Sequence, residues 1–255
     1  MNILIVNDDG IGSNGCWALF NSFHEKGHDV WMVVPKTEKS AISHAITLRD
    51  PLRIEKIQDR VWAVTGTPVD CVIMAFEELL PNDKSLKGNI DLVISGVNAG
   101  PNRGDDVLYS GTVAAAIEAM CFGYKAIAIS LTSDPPYIWD TAIHALFYLL
   151  EKGIADFIDY REILNINIPN VKIEELQGYA VCQTGFRKYR DVLLKQKDNR
   201  NKDIYWIGGY NPIFEQSKHE IDYYVTKEKK VSISPLKIDF NNYEKIKLME
   251  KKFNL

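Results

Sequence analysis

Two adjacent carboxylates follow the first apolar run of this 255-residue chain. Residues 3–6 are Ile, Leu, Ile and Val, and after Asn7 come Asp8 and Asp9. Carboxylates this close together repel each other, and a cation or a shared proton relieves the repulsion. Oxygen ligands suit Mg2+, Mn2+ or Ca2+, and neither His nor Cys lies near enough in the sequence to suggest zinc. The pair therefore indicates a divalent metal site, while a turn that caps the next helix is the purely structural alternative.

A glycine pattern directly after the carboxylates gives a competing hypothesis. Gly10, Gly12 and Gly15 spell G-x-G-x-x-G, which in nicotinamide and flavin enzymes places a pyrophosphate on a helix N-terminus. Asp8 and Asp9 would repel an uncoordinated pyrophosphate, and "VVPK" lacks the acidic residue expected after the second strand. A bound cation resolves the conflict, because it bridges carboxylates to a phosphate. A dinucleotide-binding oxidoreductase stays as the alternative function.

A serine-containing loop follows the second predicted strand. It spans residues 36–47 and contains Ser40, Ser43 and His44. In a doubly wound sheet this loop emerges at the same edge as the two carboxylates, so its side chains can converge on them. Ser43 and His44 are therefore candidate substrate contacts.

A long loop rich in Asn and Gly, residues 96–112, follows the third predicted strand. Its glycines permit positive φ, and Asn98 and Asn102 tolerate it, so successive backbone N–H groups can form an anion-binding concavity. The loop ends in Ser110-Gly111-Thr112, where a helix starts and its free N–H groups favour a phosphate. Ser110 by itself is equally typical of an N-cap, but the loop as a whole indicates phosphate binding.

Other functional classes fit the sequence less well. It contains neither a Walker loop nor the G-x-S-x-G of serine hydrolases. An aspartyl-phosphate phosphatase would use a strand-end Asp as its nucleophile, but such enzymes usually space the pair as D-x-D. A non-catalytic nucleotide-binding module would leave the two carboxylates without a role, and activity with a divalent ion would distinguish an enzyme from it.

Alternating strand and helix patterns provide the frame for these loops. We predict strands at residues 2–7, 29–34, 91–95, 126–131 and 163–169, and helices around residues 16–23, 69–80, 111–123 and 138–152. This alternation predicts an α/β fold, a Rossmann-like three-layer core with a mainly parallel sheet. We assign residues 1–177 to this catalytic core. Residues 178–255 are predicted to form C-terminal β-hairpin and helix extensions that complete the fold and make oligomer contacts. They contain strand-like pieces between charged turns, at residues 179–183, 203–209, 221–226 and 231–236.

Composition indicates the class of protein, its expected partners and its expected location in the cell. Hydrophobic residues make up 46% of the chain and charged residues 25%, as in ordinary soluble domains. The net charge of -4 argues against a stable nucleic-acid complex, although residues 187–255 carry 16 basic against 10 acidic side chains. The four cysteines are far apart in sequence and fit a reducing cytoplasm. No run approaches the roughly 18 apolar residues of a membrane span, so we expect no membrane association and a cytoplasmic location.

The order of these motifs resembles the SurE family of stationary-phase survival proteins, which are metal-dependent 5'-nucleotidases. The resemblance rests on "ILIVNDDG", "VVP" before Ser40 and Ser43, "GTPVDCV" (66–72), "DLVISGVNAGPNRGDDVLYSGTVAAA" (91–116), "LNINIP" (164–169) and "VSISPL" (231–236). It implies a homodimer or homotetramer in which the C-terminal elements are exchanged between subunits. This chain departs from the family pattern at Ala41, where Gly is usual, and at Ala114, Lys125 and Lys229-Lys230.

The resemblance also implies a site and a reaction. One divalent ion per subunit, Mn2+ or Mg2+, would be held by Asp8, Asp9, Ser40 and Asn98, with the two carboxylates also catalytic. We expect Asn102 and Ser110-Gly111-Thr112 to bind the phosphate oxygens. The expected reaction is hydrolysis of nucleoside 5'-monophosphates to nucleoside and phosphate. Some members of the family also accept 3'-nucleotides or short polyphosphate.

Overall fold

Thirteen strands form among the residues that the computed structural model describes, which are all except 133, 189–190, 210–212, 215–219 and 255. In chain order they are β1 (Asn2–Val6), β2 (Asp29–Pro35), β3 (Ile54–Gln58), β4 (Val61–Val64), β5 (Leu92–Ala99), β6 (Ala126–Thr132), β7 (Glu162–Pro169), β8 (Tyr179–Val181), β9 (Arg187–Lys188), β10 (Asp191–Lys197), β11 (Asp203–Gly209), β12 (Ile213–Phe214) and β13 (Val231–Lys237).

Nine of these strands form the central sheet, in the order β3-β4-β2-β1-β5-β6-β7-β13-β8. The six neighbouring strands β4, β2, β1, β5, β6 and β7 are parallel to one another. Strand β3 pairs antiparallel with β4, and β13 pairs antiparallel with β7. From β1 the chain first builds outward through β2 and then returns to add β5 on the other side. The carboxyl ends of β1 and β5 therefore flank the topological switch point, where open α/β sheets bind their ligands.

Helices cover both faces of the sheet. In chain order they are α1 (Asn14–Glu25), α2 (Pro68–Met74), α3 (Gly111–Cys121), α4 (Trp139–Glu151), α5 (Asp222–Lys227) and α6 (Tyr243–Phe253). A π-helical turn (Ala75–Leu79) continues α2, and short 3-10 helices lie at Gly104–Leu108, Ile154–Phe157 and Ile173–Glu175. These elements confirm the predicted α/β class.

Each face of the sheet has its own apolar core. The stripe predicted on α1 is buried, with Cys16, Leu19 and Phe23 fully enclosed against one face. The other face packs against α2 and the small residues of α3. Because five of the eleven residues of α3 are Ala or Gly, the helix lies close to the sheet and its N-terminus reaches the end of β1. Among the described residues, no helix has the length and hydropathy that crossing a membrane would require.

One local prediction was wrong, and one pair of strands was missed. Residues 221–226 alternate apolar and polar like a strand, but the chain forms helix α5 there. The antiparallel pair β3–β4 was not predicted, since the residues of β3 are all exposed to solvent and include both Glu55 and Lys56. Several later pieces are strands as predicted, and two of them, β8 and β13, extend the central sheet itself.

Candidate active site at the carboxyl edge of the sheet

A tight turn fixes the two carboxylates at the end of β1. The buried Asn7 side chain accepts a hydrogen bond from the Gly10 N–H and donates one to the Gly10 carbonyl, both at 3.1 Å. Gly10 has a φ of +85°, and a Cβ there would lie only 3.0 Å from the backbone of Thr37. The turn is therefore braced by its own asparagine and packed against the loop that follows β2.

Asp8 is buried and held from the start of α3. Its carboxylate accepts a hydrogen bond of 2.5 Å from the Thr112 hydroxyl. Burial raises the pKa of Asp8, while that hydroxyl and the backbone N–H groups of Thr112 and Gly111 oppose the rise. The N-terminus of α3 thus points its donors at Asp8.

Asp9 lies between β1 and β5. One carboxylate oxygen accepts a hydrogen bond from the Ala99 N–H at 3.1 Å. Burial raises the pKa of Asp9 to about 6, and the negative charge of Asp8 adds to the rise. Two half-paired carboxylates in a low-dielectric pocket are costly when both are ionised, so their chemistry fits a divalent cation.

A bulge in β5 directly precedes Asn98. The pairing of β5 with β6 shifts register between Ser95 and Asn98, and bulges of this kind re-aim side chains. The Asn98 amide nitrogen donates to the Gly100 carbonyl at 2.8 Å. The amide oxygen consequently faces away from that carbonyl and is available as a ligand.

The loop after β2 lies directly against Asp8. The Lys39 N–H donates to the Asp8 carbonyl at 2.8 Å, which fixes the backbone next to Ser40. Ser40 is exposed, and its hydroxyl donates to Glu38 at 2.7 Å. Glu38 was missed in the sequence, although its charge also raises the pKa of Asp9. An acidic residue two positions before a candidate ligand is the signal that could have pointed to it.

The predicted phosphate-binding residues at the start of α3 are buried beside Asp8. Ser110 is the N-cap, and its hydroxyl accepts from the Val113 N–H at 3.0 Å. A Cβ on Gly111 would lie 2.8 Å from the Asp8 Cβ, so the helix start and the carboxylate are in close contact. The phosphate-binding roles of Ser110, Gly111 and Thr112 stay predictions.

Three more candidate contacts come from the two loops described above. The loop after β2 contributes Ser43 and His44, and the loop between β5 and α3 contributes Asn102. The buried Asn102 side chain donates to Ser130 at 2.7 Å. Ser43 contacts the residues just before α3, since its hydroxyl donates to the Leu108 carbonyl. His44 Nε2 lies 2.7 Å from Glu118 on α3, and Ser43, His44 and Ser110 share the lining of a cavity of about 730 Å³. Their contacts with a substrate stay predictions.

Two of the three glycines of the dinucleotide pattern have a structural role. Gly10 forms the turn described above, and nothing lies within 4 Å of a Cβ placed on Gly12. A Cβ on Gly15 would lie 2.2 Å from the Val97 carbonyl oxygen, so this glycine lets α1 approach β5. Turn formation and close helix packing explain Gly10 and Gly15 without a pyrophosphate.

The fold and the site together define a class of protein. It is a Rossmann-like α/β protein with two carboxylates and an amide oxygen at the switch point of its sheet. Among the described residues no three His, Cys, Asp or Glu side chains cluster as a metal site. A family model described as "Survival protein SurE" matches residues 3–191. The chain belongs to the SurE family.

Individual relatives match nearly the whole chain. A protein of Haemophilus influenzae named 5'-nucleotidase SurE is 40% identical over 246 residues, covering 96% of this chain and 95% of its own. Proteins with the same name from Vibrio parahaemolyticus and Geobacter sulfurreducens are 39% and 38% identical over 251 residues, covering 98% of this chain and 93% of theirs. The crystal structure of the SurE protein from Aquifex aeolicus superposes with a TM-score of 0.84 at 32% identity, covering 99% of this chain and 100% of that one.

Proposed function

We propose that this protein is a 5'-nucleotidase that hydrolyses nucleoside 5'-monophosphates to nucleoside and phosphate. The observation that carries the proposal is the pair Asp8 and Asp9 at the switch point, held by donors from α3 and β5. The relatives named 5'-nucleotidase SurE support the same activity. They give no support to the oxidoreductase alternative.

One divalent ion per subunit, Mn2+ or Mg2+, completes the site. Asp8, Asp9, Ser40 and Asn98 would hold it, because they are the oxygen donors that the turn, the loop after β2 and the bulge in β5 present at one edge. The ion would supply charge neutralisation at the phosphate and lower the pKa of a water molecule. The Ser40 hydroxyl donates to Glu38, so it would exchange this partner to act as a ligand.

The residues of the chain bind the phosphate and direct the water. Backbone N–H groups at the start of α3 and the side chain of Asn102 orient the phosphate oxygens, while Ser43 and His44 contact the rest of the nucleotide. Water attacks phosphorus in line with the ester oxygen, and one of the two strand-end carboxylates accepts a proton from it. The new bond joins phosphorus to the water oxygen, the ester bond breaks, and the proton passes on to the leaving ester oxygen, so that nucleoside and phosphate are released.

The assembly is a homodimer or homotetramer built through residues 178–255. Helix α6 supports this proposal, since it has no buried residue in the isolated chain and exposes Leu248 and Phe253. The hairpin β10–β11 likewise exposes Trp206 and Ile207. An eleven-residue helix without packing is marginal in water, so a second subunit is expected to cover it. We place the enzyme in the cytoplasm, where its four unpaired cysteines would persist.

Phosphate release from a substrate panel tests the proposal. The panel contains the nucleoside 5'-monophosphates, 3'-AMP and short polyphosphate, each with Mn2+, Mg2+ or excess EDTA. We expect release from 5'-monophosphates only when a metal is present, and the other substrates then define the range. Release that persists in EDTA contradicts the metal site. If no substrate releases phosphate, the proposal that the protein is a 5'-nucleotidase is contradicted. NADH binding by such an inactive protein would restore the oxidoreductase hypothesis.

A further inference from the structure

Three consecutive residues of the loop between β5 and α3 are held by side chains from the second half of the chain. Asn102 is bound from β7, while Arg103 and Gly104 are bound from α5. The loop carries the ligand Asn98 at one end and the helix start that contacts Asp8 at the other. The contacts that hold residues 102–104 therefore affect the positions of both Asn98 and the start of α3.

The bond to Asn102 is a two-sided pairing of amides. Asn167 on β7 accepts from the Asn102 N–H at 2.8 Å and donates to the Asn102 carbonyl at 3.0 Å. Asn165, two residues earlier on the same strand, donates to that carbonyl at 2.8 Å. Both asparagines are fully buried, so water cannot take over these bonds.

Asp222 makes the bond to Gly104 from the first turn of α5. One carboxylate oxygen accepts from the Gly104 N–H at 2.7 Å, and the other accepts from the N–H groups of Gly185 and Tyr223 at 3.2 and 2.8 Å. The side chain is fully buried. Its two oxygens thus join the site loop to the C-terminal part of the chain, in a way that a single acceptor could not.

Residues 101–103, between β5 and the 3-10 helix at Gly104–Leu108, have no regular secondary structure to resist displacement. Gly100 and Gly104 have φ values of +135° and +57°, and glycine makes such a segment costly to order. Arg103 adds a bond from its guanidinium to the Thr226 hydroxyl of α5 at 2.7 Å. Hydrogen bonds from β7 and α5, rather than a conformational preference of the loop itself, therefore hold it in place.

We infer that Asp222 is a positioning residue for the hydrolysis proposed above, acting with Asn167 to hold residues 102–104 so that Asn98 and the start of α3 face the carboxylate pair. The inference rests on that proposed function. Asp222 has no contact with substrate in this role. It acts through Gly104, and its loss is expected to weaken the metal site before it unfolds the protein.

Asp222→Asn tests the inference, because it keeps the size of the side chain and removes one of the two acceptors. Mn2+ affinity is measured by calorimetry on the metal-free protein, and kcat and KM on the Mn2+-loaded enzyme with a 5'-monophosphate. We expect the Kd for Mn2+ to rise about tenfold or more and kcat to fall by a similar factor. The protein stays folded at the assay temperature, as judged by its melting curve.

Asp83→Asn is the matched control. Asp83 also accepts bonds from a backbone N–H and a Trp31 ring N–H, but it precedes β5 at the opposite edge of the sheet. Its loss is expected to lower the melting temperature and leave the Kd for Mn2+ within twofold of wild type. An equal loss of Mn2+ affinity in both variants, or wild-type affinity and kcat in Asp222→Asn, overturns the inference.

Asn167→Ala serves if Asp222→Asn does not fold. It removes both bonds to Asn102 and should weaken Mn2+ binding to a similar extent, and a wild-type Kd and kcat there also overturn the inference. Where both variants fold, the double variant should lose less than the product of the two effects, because both release one loop. A wild-type protein that neither binds Mn2+ nor releases phosphate overturns the proposed function instead, which is a distinguishable result.

Discussion

The Asp9 carboxylate accepts a hydrogen bond from the Ala99 N–H at 3.1 Å, across 90 positions of sequence. This bond joins the ends of β1 and β5, the two strands that flank the switch point. Together with the bond from Thr112 to Asp8, it places both carboxylates on fixed backbone before any cation arrives. The proposed metal site is therefore largely formed by the fold itself.

Holding the two carboxylates close together in the fold lowers the free energy of unfolding by an amount that depends on pH. The raised pKa of Asp9, about 6 against 3.8 for an unperturbed carboxyl, reflects burial first and the charge of Asp8 second. A raised carboxyl pKa means that ionisation is less favourable in the folded protein. The penalty is absent below pH 3.8, grows as pH rises toward 6, and is complete above that value.

Asp9→Asn should therefore stabilise the metal-free protein at pH 8 by about 1–3 kcal/mol, with a gain that shrinks toward pH 5. The same variant should lose activity by orders of magnitude, since a ligand and its charge are gone. Chemical denaturation in EDTA at the two pH values measures the first effect. An unchanged or lower stability at pH 8 would show that the carboxylate pair is not strained.

Thr112→Val should weaken the site without unfolding the protein. The change keeps the shape of a fully buried side chain and removes the hydroxyl that bonds to Asp8. A bond to a charged group is worth about 1.5–3 kcal/mol, so we expect roughly a tenfold to hundredfold loss in kcat/KM. Thr141→Val is the control, since Thr141 is equally buried and donates to the Val171 carbonyl. Similar losses in both variants would argue against a special role for the Asp8 bond.

Gly111→Ala should abolish activity while Gly12→Ala does not. A methyl group at Gly111 would collide with Asp8, whereas one at Gly12 meets nothing within 4 Å. Steady-state kinetics on both variants tests this contrast. A large loss in Gly12→Ala would instead point to a ligand held at the glycine pattern, as the dinucleotide hypothesis requires.

Ala41→Gly should stabilise the loop that carries Ser40. Ala41 has a φ of +55°, and the left-handed region costs a residue with a Cβ roughly 1 kcal/mol. Glycine removes that strain, so we expect a gain of about 0.5 kcal/mol after its greater freedom in the unfolded chain is subtracted. Ala45→Gly in the same loop, where φ is not positive, should destabilise. Equal effects of both changes on the melting temperature would contradict this account.

The sequence predicted the elements whose pattern is local. The strands β1, β2, β5, β6 and β7 are short apolar runs, and α1 has a clear helical stripe, so their periodicity decided them. Residues 221–226 misled because Ile221, Tyr223 and Val225 alternate like a strand, and the chain nevertheless forms a helix whose first residue bonds to Gly104 and Gly185.

The candidate site divides in the same way, into residues that a local pattern reveals and residues that it does not. Asp8, Asp9 and the residues at the loop ends were predicted because their types and their position after strands are visible in the sequence. Asn7, Asn167 and Asp222 were not predicted, since each acts through a backbone group to which no local pattern points. Contacts such as that of Asn167 with Asn102 span 65 positions, and only the folded chain reveals them.

The most direct test of the account compares Asp8→Asn with Asp91→Asn across a Mn2+ titration of phosphate release from a 5'-monophosphate. Asp91 also accepts a bond from a backbone N–H, at the amino edge of the sheet. We predict that Asp91→Asn follows the wild-type curve, while Asp8→Asn loses at least about a thousandfold in kcat/KM and no longer responds to Mn2+. Full activity of Asp8→Asn, with the same Mn2+ dependence as wild type, would contradict the central claim that the strand-end carboxylates hold the metal.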